Sequence, residues 1–202
     1  MKYTIDSMRV PNGPVSITSL LIPIDEFGVM SDKYRDATIV AAVEKAEALF
    51  GVGQRLTVRD LNGSDMSYTA NIMTETSNAT ANAWNAMAFG AFTVATGTVV
   101  GIYGLKLYVV HDATIDFCPI TGVRIDVGGA RVAQWHVQSL DQNTSAASVA
   151  PTRAYCGITK SPVVAGEDIT VTIYEYTRTA STVYTPCWLG VTVEKEGITL
   201  RP

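Results

Sequence analysis

The sequence predicts an all-β protein, an antiparallel sandwich or barrel of about eight strands carrying a single surface helix. Three observations predict it. From Gln54 onward, short runs rich in Val, Ile, Thr and Tyr follow one another. Turn pairs punctuate them: Asn62-Gly63, Thr96-Gly97, Thr121-Gly122, Gly128-Gly129, Ala165-Gly166 and Glu196-Gly197. Only one stretch has helical period with end signals, so strands do not alternate with helices as βαβ units require.

Residues 1–30 read as an extended arm with at most one strand, because Pro11, Pro14 and Pro23 interrupt its apolar runs. Between Val15 and Phe27 the arm holds Ile17, Leu20, Leu21, Ile22 and Ile24, which must be covered by the chain's own sheet or by a neighbouring subunit. Residues 31–202 read as one sandwich domain. Its helix is expected near 32–50, with Asp32 as N-cap and Gly51 as the stop. At 100° per residue, Ile39, Val43, Ala46 and Phe50 share a stripe that packs on the sheet, opposite Lys33, Glu44 and Lys45.

The expected strands are 56–58, 68–73, 91–95, 99–110, 123–127, 130–137, 169–176, 183–185 and 188–194. The hairpin at Gly128-Gly129 sets Val127 opposite Ala130, Asp126 opposite Arg131 and Ile125 opposite Val132, with an Asp–Arg pair across the strands. Alternation reverses beyond Ala133, which calls for a bulge near Gln134 or a second layer. The expected core includes Ile125, Val132, Ile169, Val171, Ile173, Leu189, Val191 and Val193. Opposite the apolar positions of the 169–176 strand lie Thr170, Thr172, Tyr174 and Tyr176, a face suited to water or to a neighbouring subunit. Residues 142–151 read as a long polar loop.

Composition excludes several function classes. With 47% hydrophobic and 17% charged residues the chain is not disordered, and its length buries roughly 70% of the unfolded surface as one domain. Fifteen basic residues, scattered against 19 acidic ones for a net charge of −4, do not make a nucleic-acid platform. The uncharged stretch from Glu75 to Lys106 reads as strand, turn, strand and not as a membrane helix, because Gly and Thr punctuate it. The first residues carry no signal-peptide pattern. Cys118, Cys156 and Cys187 form no CxxC pair and read as buried, reduced thiols; the alternative is one disulfide. Sequons at Asn62, Asn78 and Asn143 read as chance products of a Thr- and Ser-rich chain.

Candidate chemistry is sparse. His111 and His136 stand at no metal-ligand spacing, and His136 beside Trp135 reads as an interior or interface residue. There is no GxSxG elbow and no phosphate loop, and Gly51-Val-Gly53 lacks the third glycine of a dinucleotide fingerprint. Asp25-Glu26 and Glu167-Asp168 are adjacent pairs that diverge when extended, unlike a glycosidase's convergent carboxylates. Asp60, Asn62 and Asp65 echo a calcium loop without its distal Glu, and an Asn-Gly hairpin explains them equally. No catalytic, cofactor or metal residues are assigned, and no enzyme activity is expected.

The run IYGLKLYVV, ITGVRIDVGGARVAQWHV, SPVVAGEDITVTIYEYT and CWLGVTVEKEGI resembles the strand succession of single jelly-roll viral capsid proteins over about the last half of the chain. The resemblance implies a jelly-roll sandwich and a virion structural protein, a shell subunit or decoration protein whose partners are itself and other capsid proteins. Without a basic arm it is similar to those of phages or archaeal viruses whose shell does not grip the genome, and no direct sequence-specific nucleic-acid binding is expected. Two alternatives are weighed. One is a lectin-like carbohydrate-binding sandwich stacking sugars on Trp84, Trp135 or Trp188; the other is a cupin-like enzyme, which the isolated histidines disfavour.

Overall fold

The computed structural model describes residues 24–68, 75–110, 119–139 and 152–196. One helix, α1 (Ile24–Phe50), precedes the strands β1 (Leu56–Asp60), β2 (Glu75–Thr76), β3 (Ala83–Thr93), β4 (Thr98–Val110) and β5 (Ile120–Val127). Then come β6 (Ala130–His136), β7 (Gln138–Ser139), β8 (Thr152–Ala165), β9 (Thr170–Thr177) and β10 (Val183–Lys195). A 3-10 turn at Gly63–Met66 follows β1. Every pairing is antiparallel, in a sheet ordered β1-β10-β4-β8-β7, with β2 on β10, and a second sheet ordered β3-β9-β5-β6.

The pairings are nested. β5 pairs β6, β4 pairs β8, β3 pairs β9 and β1 pairs β10, so each earlier strand meets a progressively later one. That is one long hairpin rolled up so that its rungs alternate between two sheets, the path of a jelly roll. Its tip is Gly128-Gly129, where φ values of 58° and 82° give the left-handed turn that two glycines adopt without strain.

Two apolar layers hold the fold. Between the sheets lie Phe92, Ile102, Leu105, Ile120, Ile125 and Ile173, all fully or nearly fully buried. On the far side of the six-stranded sheet, Ala42 and Ala46 of α1 pack on Val99, Val191 and Val193. Small residues make this second layer thin: a Cβ on Gly101 would sit 2.5 Å from Thr38 Cγ2 and 3.6 Å from Ala42 Cβ. The helix therefore rests nearly on the sheet backbone, and it covers the part of that sheet's outer face formed by Val99, Val191 and Val193.

The sandwich, its antiparallel sheets and the single surface helix are as the sequence predicts, and several details differ. The helix begins at Ile24 and not at Asp32, so residues 24–30 of the expected arm are helical; residues 1–23 lie outside the described residues. Gly28 does not end the helix, since a glycine costs only about 1 kcal/mol inside one. Val132 is exposed because the register jumps there: Ile125 pairs Ala133 and Asp126 pairs Arg131, which leaves Val132 as the bulged residue. The bulge thus precedes Ala133, and Ala133 and Trp135 turn inward after it. Ile169 is exposed because it precedes β9 at the sandwich rim. Leu189 is half-buried, while Val191 and Val193 belong to the layer under the helix and not to the space between the sheets.

Other corrections concern turns and strands. Thr121-Gly122 is part of β5 and makes no turn, and Asn62-Gly63 opens the 3-10 turn in place of a hairpin. The expected strands 183–185 and 188–194 are one strand running through Pro186, and β8 was not anticipated. Residues 69–73 of the expected 68–73 strand and the 142–151 loop fall outside the described residues.

Candidate functional site

Among the described residues, no helix lies over the outer face of the four-stranded sheet. Strand alternation sends Val171, Ile173 and Glu175 of β9 inward, so Thr172, Tyr174 and Tyr176 point out. Register then assembles rows across the sheet: Trp84, Tyr176, Gly122 and His136 in one, and Ala86, Tyr174, Arg124 and Gln134 in the next. A third row runs Ala91, Thr172, Asp126 and Arg131.

These side chains hold one another in place. The Trp84 and Tyr176 rings meet edge to face, with centroids 5.5 Å apart and planes at 74°. Gly122 makes room for the indole, since a Cβ there would lie 3.0 Å from Trp84 Cη2. The Arg124 guanidinium stacks 3.8 Å from the Tyr174 ring centroid and lies 5.9 Å from that of Trp84. Its Nε is 3.2 Å from Asp126 Oδ1, and this ion pair is only 16% and 15% exposed although it stands on the outside of a sheet. The cross-strand partner expected for Asp126, Arg131, is its register neighbour, but the ion pair is made within β5. The face is a rigid aromatic and guanidinium surface with hydroxyls beside it.

The other titratable clusters serve the fold. Glu175 is 1% exposed and accepts from Tyr184 Oη at 2.5 Å, Asn78 N–H at 2.7 Å and Thr177 Oγ1 at 2.8 Å. Its oxygens are occupied by its own chain, tying the segment before β3 to β9 and β10. Burial, then the adjacent Glu175 carboxylate, pushes the Tyr184 hydroxyl far above the usual tyrosine range.

The residues singled out in the sequence that are described have definite places. Asp65 accepts both Arg59 Nη atoms at 2.7 Å, Asp60 is paired with Arg35 at 2.8 Å, and Asn62 caps the 3-10 turn. The three do not converge on a cation. Glu167 accepts from the Gly97 N–H at 2.6 Å and Asp168 from Thr96 Oγ1 at 3.0 Å, so this pair clasps one turn to another. Asp25 and Glu26 open α1. Trp135 and Trp188 are buried, and only Trp84 reaches the surface. His136 is exposed and not interior, with Nδ1 3.3 Å from the Thr121 carbonyl. Cys187 is an exposed free thiol, against the buried one expected, because strand parity turns it away from the space between the sheets. Cys156 lies on β8 in register with Lys106, and His111 and Cys118 fall outside the described residues.

Comparison with known proteins finds no family model that matches the chain and no curated protein similar to it. Among the described residues, no helix is long and apolar enough to cross a membrane. Sequence reasoning named Tyr174, Tyr176 and Trp84 separately and missed that Arg124 joins them. The signal was strand parity: Arg124 alternates with Val123 and Ile125, which face inward.

Proposed function

We propose that this protein is a virion structural subunit, a capsid or decoration protein that works by self-assembly and not by catalysis. The observation that carries the reading is the composition of this outer sheet face. Contact surfaces are enriched in Tyr, Trp and Arg and depleted in Lys and Glu. The described outward positions of β3, β5, β6 and β9 hold Trp84, Tyr174, Tyr176, Arg124 and Arg131 and no Lys or Glu. A face meant only for water would reverse that bias. Support also comes from the jelly-roll path, which viral shells share with lectins and cupins. The virion, with further shell proteins as partners, is the matching location.

Native mass of the full chain by sedimentation velocity, with electron microscopy of any large species, tests the reading. Closed, uniform particles or defined oligomers are expected. A chain that stays monomeric at every attainable concentration overturns it. The second reading, a carbohydrate-binding sandwich, is favoured by the partly exposed Trp84 ring beside Arg124 and His136. A monomer that binds glycans and loses them in Trp84→Ala would establish it instead.

A further inference from the structure

Resting on the assembly reading, we infer that the partner of this sheet face is the outward face of α1 on the next copy of the chain. Charge complementarity points there. On the sheet face, Arg124 and Arg131 against Asp126 leave one net positive charge, with His136 exposed beside them. Among the described side chains of α1 the exposed ionisable residues are Asp32, Asp36, Glu44 and Glu47 against Lys33 and Lys45, four negative and two positive, or a net −2, with Arg35 neutralised by its pair with Asp60. An exposed apolar group accompanies those acids just past the helix's C-terminal end, where Val52 is 88% exposed, while Leu49 packs inward against Gly166. An acidic and aliphatic surface complements a basic and aromatic one.

Geometry fixes the kind of contact. The helix covers the outside of one sheet and the aromatic face is the outside of the other, so the two surfaces lie on opposite sides of one sandwich. A copy cannot bring its own two surfaces together. Joining them between copies is head-to-tail, which closes into a ring where the rotation per copy permits and otherwise runs on as a filament. Pairing the sheet face with itself about a two-fold axis would oppose two faces of net positive charge. The Arg124–Asp126 pair suits the centre of the contact, because it is already largely withdrawn from water in the single chain and loses little more on docking.

The test is a charge swap in the full chain, read as association affinity by sedimentation velocity, with circular dichroism confirming each fold. Arg131→Glu and Glu47→Lys should each weaken association by about tenfold or more, the order expected for opposing a like charge across a contact. The double variant carries both changes, re-pairs the charges between neighbouring copies and should recover most of the loss. Trp84→Ala should weaken association without recovery. Single losses that the double variant fails to recover overturn the helix as the partner. Unchanged assembly in all four proteins overturns the contact while leaving self-assembly intact. A wild-type chain that never associates overturns the assembly reading itself, and this inference with it.

Discussion

Gly101→Ala adds one methyl group where α1 meets the six-stranded sheet, and its consequence can be worked through from the packing. The new Cβ would lie 2.5 Å from Thr38 Cγ2 and 3.3 Å from Val191 Cγ2, both side chains held in a close-packed layer. Relief requires the helix to lift by a few tenths of an ångström or more, loosening Ala42 and Ala46 from Val99 and Val193. Overpacking of this kind costs about 1–3 kcal/mol. Gly→Ala at a compatible backbone position returns about 0.4–1 kcal/mol by restricting the unfolded chain. The net expectation is a loss of about 1–2 kcal/mol, or roughly 2–8 °C in Tm for a domain of this size. Thr38→Ser removes the offending methyl and keeps the hydroxyl that donates to the Tyr34 carbonyl at 2.6 Å. In the Thr38→Ser background, Gly101→Ala should therefore cost little. Urea unfolding of the four proteins gives the coupling directly, with about 1 kcal/mol or more expected. A Gly101→Ala protein as stable as wild type, with no coupling to Thr38, would refute the close seating of the helix.

Two further predictions concern the sandwich. Ile173→Ala, at a fully buried position between the sheets, should cost about 2–5 kcal/mol, whereas Val132→Ala on the bulge should cost under about 0.5 kcal/mol; equal losses in urea melts would contradict the register jump at Val132. Tyr184 titrates above its unfolded value of about 10, so the folded state holds this proton more tightly. Its contribution is therefore complete below pH 10 and is lost as pH rises beyond that, towards the folded value. Stability measured by denaturant melts should fall steadily above about pH 10. Tyr184→Phe should cost about 1–3 kcal/mol at neutral pH by leaving Glu175 Oε2 without its donor. A flat profile to pH 12 would count against the buried tyrosine–carboxylate bond.

Local pattern carried the architecture far and failed where tertiary contacts decide. The Gly128-Gly129 turn, the alternation of Val171 and Ile173 and the helical stripe at Ile39, Val43, Ala46 and Phe50 each depend on residues a few positions apart. Bulges do not announce themselves in this way. Nothing near Val132 marks it as the residue left without a partner, because the choice rests on how β6 meets β5. The sequence also hid which layer an apolar residue joins: Val191 and Ile173 look alike, yet one packs under a helix and the other between sheets. Of the aromatic face, Tyr174 and Tyr176 were legible from parity. The place of Arg124 over Tyr174 needed the β5–β9 register, which brings together residues some fifty positions apart.

The rolled hairpin also dictates an order of events as the chain is made. Its tip, β5 with β6, can close as soon as both strands leave the ribosome. The six-stranded sheet cannot be completed then, because β10, the last of the described strands, lies between β1 and β4. Arg59 and Glu194, 135 positions apart, illustrate how long β1 must wait for its neighbour. Contacts of such range fold slowly. Until β10 arrives, the edge of β4 that it will occupy faces solvent, inviting pairing with other copies. Synthesis to the end of β10 is thus the step that both completes the sheet and ends its exposure to other nascent chains.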